Sequence, residues 1–369
     1  MDVKIVVSLF ALLSLFAVGA RADSSPVQSA APSYDQYKDW LVACDNSLNC
    51  EAKVFGSDDN DDAGQLTLTR AGGADGALKV EIAAGAALGA RGVRLDGQPL
   101  TLGEGWKAST SDGVTTLDAT SYEVVRQLIE AARNGQEIEL AVVANAGGGV
   151  RSIPLSLHGF SAALLRMDAR QGRVGTETAL LNPGTQPARA VPPAPPMPLV
   201  PWHPITAQLA PGEDKRLIDT VTKAGTAVLE HEQCDASQDS SDFTPSVFAL
   251  GTKQALVLIP CIEGAYQGSY VGFIAGRADR TQAELKLSTP MKGNDASDQS
   301  TTMLTEADFD PKTGMLSMFA KGRGLGDCGE AASWIWEGTR FVLSSLTYQD
   351  NCGGVMAGDW PVLFDSRQN

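Results

Sequence analysis

Six cysteines, Cys44, Cys50, Cys234, Cys261, Cys328 and Cys352, restrict the folds open to this chain of 369 residues more than any other feature. There is no C-x-x-C pair, and only His158, His203 and His231 could join a thiolate metal centre, so zinc ligation is a poor reading. An even set of cysteines behind an export signal reads as disulfides. Their number alone leaves many pairings open, and nearness in sequence favours Cys44–Cys50, Cys234–Cys261 and Cys328–Cys352. Loop entropy assigns about 3.5 kcal/mol to each of the two longer loops and about 2.4 kcal/mol to the short one.

The export signal lies at the start. Lys4, the apolar run Ile5 to Val18 and the small residues around Ala20-Arg21-Ala22 form a signal peptide, residues 1–22. The run falls short of the roughly 20 residues that span a bilayer, and no later run is apolar enough, so no membrane insertion is expected. Residues 23–33, small and polar with Pro26 and Pro32, read as a flexible tether. The compartment implied is an oxidising one outside the cytoplasm. A net charge of −15, spread over both halves, repels nucleic acid and favours basic partners.

Nine of the nineteen prolines fall within 183–204, a semi-rigid polyproline spacer that divides the chain into 34–182 and 205–369. In the first part, alternating apolar residues predict strands over 37–46, 65–70, 77–83, 137–143 and 151–157, with a hairpin at Asp96-Gly97. The helical spacing of Val124, Val125, Leu128, Ile129 and Ala132 predicts a helix over 121–133, opened by a Thr120/Glu123 capping box. A second helix is predicted over 160–171. The result is a β-sandwich-like domain with two packed helices. After the spacer the signals are almost wholly β: short runs at 247–250, 255–259, 269–275, 283–287, 302–309, 315–321, 333–336 and 340–348. They predict an antiparallel meander or a barrel-like or propeller-like sheet, and the fold class is mainly β with a few helices (α+β).

The best candidate site is Lys321-Gly322-Arg323-Gly324-Leu325-Gly326-Asp327-Cys328-Gly329. Four glycines, two cations and a disulfide cysteine describe a rigid turn whose N–H groups face outward as an anion-binding nest, with Lys321 and Arg323 beside them. Gly324-x-Gly326-x-x-Gly329 also spells a dinucleotide fingerprint, but β-prone residues follow it where a helix is required. Trp334 and Trp336, on one face of a strand, join Trp360, Asp327, Glu337 and Asp359 in a candidate sugar-stacking surface. The binding residues are therefore Lys321, Arg323, Gly324, Gly326, Asp327, Trp334, Trp336 and Trp360. Other motifs fail. Asp58 to Asp62 lacks the EF-hand glycine and glutamate, His231-Glu232 lacks a second imidazole at Asp235, and Gly159-Phe160-Ser161-Ala162-Ala163 misses the final glycine of a nucleophile elbow. No catalytic residue stands out, and neither cofactor nor metal is expected.

Tyr37-x-x-Trp40-x-x-x-Cys44-Asp45-Asn46-x-x-x-Cys50, the run Lys321 to Gly329, Trp334-x-Trp336, Cys352 and Trp360 together resemble domain-of-unknown-function family 1176, a group of exported bacterial proteins. Trp40, Cys44, Asp96-Gly97 and Ser156 to Leu164 are also similar to the invasion-associated locus B family. These resemblances imply location and, for the first part, a β-sandwich with helices laid against it; they supply no catalytic residues. The expected role is a non-enzymatic binding or interaction protein of the bacterial envelope. Its partner would be an envelope component or protein that is basic or carries an anionic group or glycan. The alternative is a hydrolase of envelope polysaccharide using paired carboxylates.

Overall fold

The computed structural model describes residues 30–56, 63–111, 113–143, 149–234, 243–290 and 300–368. The signal peptide, most of the tether and the acidic run Asp58 to Asp62 lie outside the described residues.

The organising element is the strand Trp40–Cys44, every residue of which is buried. Side chains alternate across a strand, so Trp40, Val42 and Cys44 enter one core while Leu41 and Ala43 enter another. It belongs to a seven-stranded antiparallel sheet ordered Ser33–Tyr37, Trp40–Cys44, Cys50–Phe55, Gly64–Arg70, Leu78–Ala84, Val114–Ala119, Lys107–Ser111. On the first face lie helices α1 (Tyr122–Ala132) and α2 (Phe160–Arg170) and a four-stranded sheet made of 150–156, 137–143, 87–95 and 98–99. The Trp40 ring packs on Phe160 with centroids 4.9 Å apart, and its Nε1 donates to the Ser156 carbonyl.

Against the other face, at the Ser33–Cys44 edge, pack Leu316, Trp334, Trp336, Leu346 and Leu363 of the C-terminal half. That half holds a five-stranded sheet (308–310, 315–321, 329–336, 341–349, 362–365) and a second sheet built on the hairpin Gln254–Glu263 and Gly268–Gly276. Polar clamps join the halves across the chain. The buried Asn46 amide donates to the Asp365 carbonyl (3.1 Å) and accepts the Asp365 N–H (2.9 Å), as a paired strand would. Tyr34 Oη donates to Asp350 at 2.5 Å, and burial pushes this phenol far above its ordinary value. The proline-rich stretch is tied down too: Val200 N–H donates to Arg367, and His203 and Ile205 donate to Thr313 and Pro311.

All three neighbouring cysteine pairs are bonded, Cys44–Cys50, Cys234–Cys261 and Cys328–Cys352. Several local expectations need correction. The strand predicted over 37–46 is two strands joined by a turn at Lys38-Asp39, where Lys38 takes φ +54°. Ser33, assigned to the tether, is a buried member of the edge strand. The residue before α1 is Ser121, with no side-chain cap bond, so the Thr120 capping box does not form. Two helices that the sequence reading did not predict precede the first strand expected at 247, α3 (Glu213–Ala224) and α4 (Thr226–His231). Of the apolar residues of α3 only Leu217 and Val221 are buried, a stripe too narrow to stand out in so charged a segment. No sheet among the described residues closes into a barrel, because the terminal strands of each sheet do not pair with each other.

Helix α3 is latched at its start. Glu213 accepts Arg277 Nε at 2.8 Å and Nη2 at 2.7 Å, and these bonds hold its carboxyl down at about 2. A folded value below the unfolded one, about 4.3, makes the pair stabilising above that pH and lost as pH falls towards 2. Glu213→Gln should therefore flatten the pH dependence of unfolding between about pH 4 and pH 2 while lowering stability at pH 7, read by urea denaturation across pH. In the same assay Leu41→Ala should cost about 2–5 kcal/mol, whereas truncating the exposed Leu165 of α2 should change stability by no more than about 0.5 kcal/mol.

Candidate functional site

Strands Met315–Lys321 and Gly329–Trp336 pair in register, and Lys321 opposite Gly329 closes the hairpin whose crown is residues 322–328. A loop this rich in glycine loses more entropy on ordering than any other kind. Four braces offset that loss. Gly322 N–H donates to the Cys328 carbonyl at 2.8 Å, and Gly326 N–H, at φ +70°, donates to Arg323 at 2.9 Å. The disulfide ties Cys328 to Cys352. Arg323 Nε and Nη2 grip Asp327 at 2.8 and 2.6 Å, and the Gly354 N–H adds a bond to the same carboxylate at 2.8 Å. Finally Gln267 presents its amide to Lys321 as a strand would, accepting the N–H at 3.0 Å and donating to the carbonyl at 3.3 Å.

At the base, Gly329 takes φ +143°, and a Cβ there would lie 2.0 Å from the Ala320 carbonyl oxygen and 3.0 Å from the Trp360 ring. Only glycine fits. The Asp327 side chain is 1 % exposed, and the Arg323 bonds hold its carboxyl below the usual carboxylate range. Lys321 lies with its ammonium 5.9 Å from the Phe319 ring centroid.

These contacts revise the expected nest. Arg323 turns inward onto Asp327 rather than outward to an anion, and the amides of Gly322 and Gly326 are spent inside the loop. Gly324 and Gly326 do not lead into a helix; the motif closes an antiparallel hairpin. The tryptophans are revised as well. Trp334 (0 % exposed), Trp336 (1 %) and Trp360 (3 %) are buried, so none offers an open ring face for sugar stacking at the crown. Trp334 Nε1 donates to the Ser288 carbonyl, Trp336 packs on Phe341, and Trp360 stacks on Phe319 with centroids 5.5 Å apart. Asp327, Cys328 and Cys352 bring three metal-type atoms together, but both sulfurs are in the disulfide. His231 ends α4 and Ser161 lies inside α2, so neither sits on the geometry its motif would need.

What the crown does expose was missed in the sequence. Leu325, at the tip, is 69 % exposed, and the half-exposed ring of Tyr266 lies 3.8 Å from the Cβ position of Gly324. The signal for Leu325 was present, as the one large apolar residue within a polar glycine turn. Tyr266 comes from a turn 55 residues upstream of Lys321, next to Gln267, which bonds Lys321.

Fold and site define a class: a disulfide-braced, antiparallel β protein whose two halves share a core and present a rigid crown. More particularly, the chain belongs to the family described as "Protein of unknown function (DUF1176)", whose model matches residues 34–367. It is 33 % identical over 351 residues to the "Uncharacterized protein YpfG" of Escherichia coli (strain K12), a match spanning 92 % of this chain and 94 % of that protein. No solved structure matches significantly.

Replacing Arg323 with Ala leaves the Asp327 carboxylate buried without its cation, which should cost about 1–3 kcal/mol and loosen residues 322–328 selectively. Proteolytic cleavage confined to that loop, absent in the unsubstituted protein, is the expected readout.

Proposed function

We propose that the protein is an exported, non-enzymatic binding protein of the bacterial envelope that captures a macromolecular partner through the crown. The observation that carries this reading is the braced tip holding Leu325 in solvent beside Tyr266. Aromatic anchors such as Tyr266 are where binding energy concentrates in interfaces, and a pre-ordered loop that presents Leu325 binds with little further ordering cost. The net charge of −15 favours a basic partner and speeds its approach. Three disulfides, and the absence among the described residues of a helix able to cross a membrane, fit an exported protein. Location in the periplasm or outside the cell, the signal peptide, the division at 183–204 and the N-terminal likeness to the invasion-associated locus B family belong to this proposal.

Hydrolysis by paired carboxylates is less well supported. The described carboxylates with displaced ionisation serve local structure: Asp327 pairs with Arg323, Glu213 with Arg277, buried Asp168 accepts the amides of Leu180 and Leu181, and Asp279 bonds Thr281.

The discriminating test is capture from envelope extract by immobilised mature protein, read by mass spectrometry, with a Leu325→Asp, Tyr266→Ala variant alongside. Loss of a reproducibly enriched partner in the variant, at unchanged melting temperature, supports the reading. An identical set of captured proteins with both chains, or turnover of peptidoglycan fragments, would contradict it.

A further inference from the structure

Away from the Ser33–Cys44 edge, the second face of the seven-stranded sheet is polar. Three adjacent strands set their side chains in rows, Glu51 beside Thr69 beside Lys79, then Lys53 beside Thr67 beside Glu81, with Gln65 next along the middle strand. The C-terminal segment around Gly354 to Val362 runs over these rows, fastened where Lys53 Nζ donates to the Asp359 carbonyl at 2.9 Å. It does not fill the space. Three cavities lie between segment and sheet: one of about 380 Å³ beside Asp45, Asn49 and Asp365, one of about 280 Å³ over the charged rows, and one of about 190 Å³ beside Gly85 and Met356. Neighbours share walls, since Glu51, Thr69 and Val362 line both the first and the second, and Gln65 and Asp359 both the second and the third. Together they form one trench, each part near or below the small end of ligand pockets, roughly 300 Å³.

The floor has a definite chemistry. Each row carries one acid, one base and a hydroxyl between them, and the pairs Lys53–Glu51 and Lys79–Glu81, each at 2.6 Å, tie one row to the next. Its charges cancel. On this floor two polar atoms have no hydrogen-bond partner among the described residues, the hydroxyl of Thr67, a residue only 8 % exposed, and the side-chain oxygen of Gln65. Trp360 and Val362 contribute apolar wall. A floor of interleaved donors and acceptors with no net charge suits a ligand whose groups each donate and accept, which is the property of a hydroxyl. An extended peptide is less suited, because the trench runs over the face of a sheet whose backbone groups are already paired with neighbouring strands, leaving no edge for strand addition.

We infer that this trench is a binding site for a neutral oligosaccharide, several rings long, lying across Thr67 and Thr69 between the two lysine–glutamate pairs. The site is distinct from the crown, although Gly354, whose amide braces Asp327, also lines one end of the trench. Isothermal titration of the full mature protein with chitotriose, maltotriose and cellotriose tests this, using Thr67→Val, which keeps the side-chain shape, and Glu81→Gln, at a partly exposed position. Saturable binding of at least one trisaccharide, weakened about tenfold in either variant and unchanged in Leu325→Asp, is expected. No binding of any of the three, or binding that neither variant weakens, would overturn the inference. Loss of partner capture in Leu325→Asp with sugar binding intact would leave both sites standing, and the two can fail independently.

Discussion

The structure depends on one strand being buried on both faces. Trp40–Cys44 gives Trp40, Val42 and Cys44 to a core shared with α1 and α2, and Leu41 and Ala43 to the core of the C-terminal half. An antiparallel sheet with one solvated face alternates apolar and polar residues; a five-residue run without a polar side chain is what burial on both sides requires. The Asn46 clamp on Asp365 and the Tyr34 bond to Asp350 then fix the angle at which the halves meet, since buried polar atoms left unmatched are costly. The proline-rich stretch between them is hydrogen bonded at Val200, His203 and Ile205 to the C-terminal half.

From that seam follow the two features with functional content. The crown is rigid because the same C-terminal segment that lies over the N-terminal sheet also supplies Cys352 and the Gly354 amide that brace it. The trench exists because that segment touches the polar part of the sheet face at Lys53 without covering it. A half-buried ion pair such as Arg323–Asp327 adds little net stability against an apolar replacement, but it specifies one conformation of a loop that glycine would otherwise leave free. Conformational precision, rather than extra stability, is its contribution.

The sequence disclosed what local patterning controls. The helices around Val125 to Ala132 and Phe160 to Met167, the Asp96-Gly97 hairpin and the three cysteine pairs were legible because period, turn chemistry and proximity each act over a few residues. The break at Lys38-Asp39 was not, because Lys38 carries no turn signal and takes φ +54° under the demand of the strands on either side. At the crown, the glycines, Asp327 and the disulfide were legible as a rigid turn, but the direction of Arg323 was not. Whether a guanidinium faces a ligand or its own aspartate four residues on depends on the hairpin's fold. Tryptophan fared likewise: spacing put Trp334 and Trp336 on one face, and only the packing of Leu41 and Leu346 into the same cluster shows that face to be the core. The trench was invisible, since its rows assemble from three strands.

The central claim is that both halves and the crown form one cooperative unit organised on the Trp40–Cys44 strand. Residue-resolved hydrogen exchange under native conditions tests it most directly. The account predicts that the amides of Leu41 and Val42, of the strand Gly329–Trp336, and of Gly322 in the crown exchange through openings of the same free energy, equal to that of global unfolding. Exchange of the C-terminal strands or of Gly322 through a distinctly cheaper opening, with Leu41 and Val42 still protected, would contradict it.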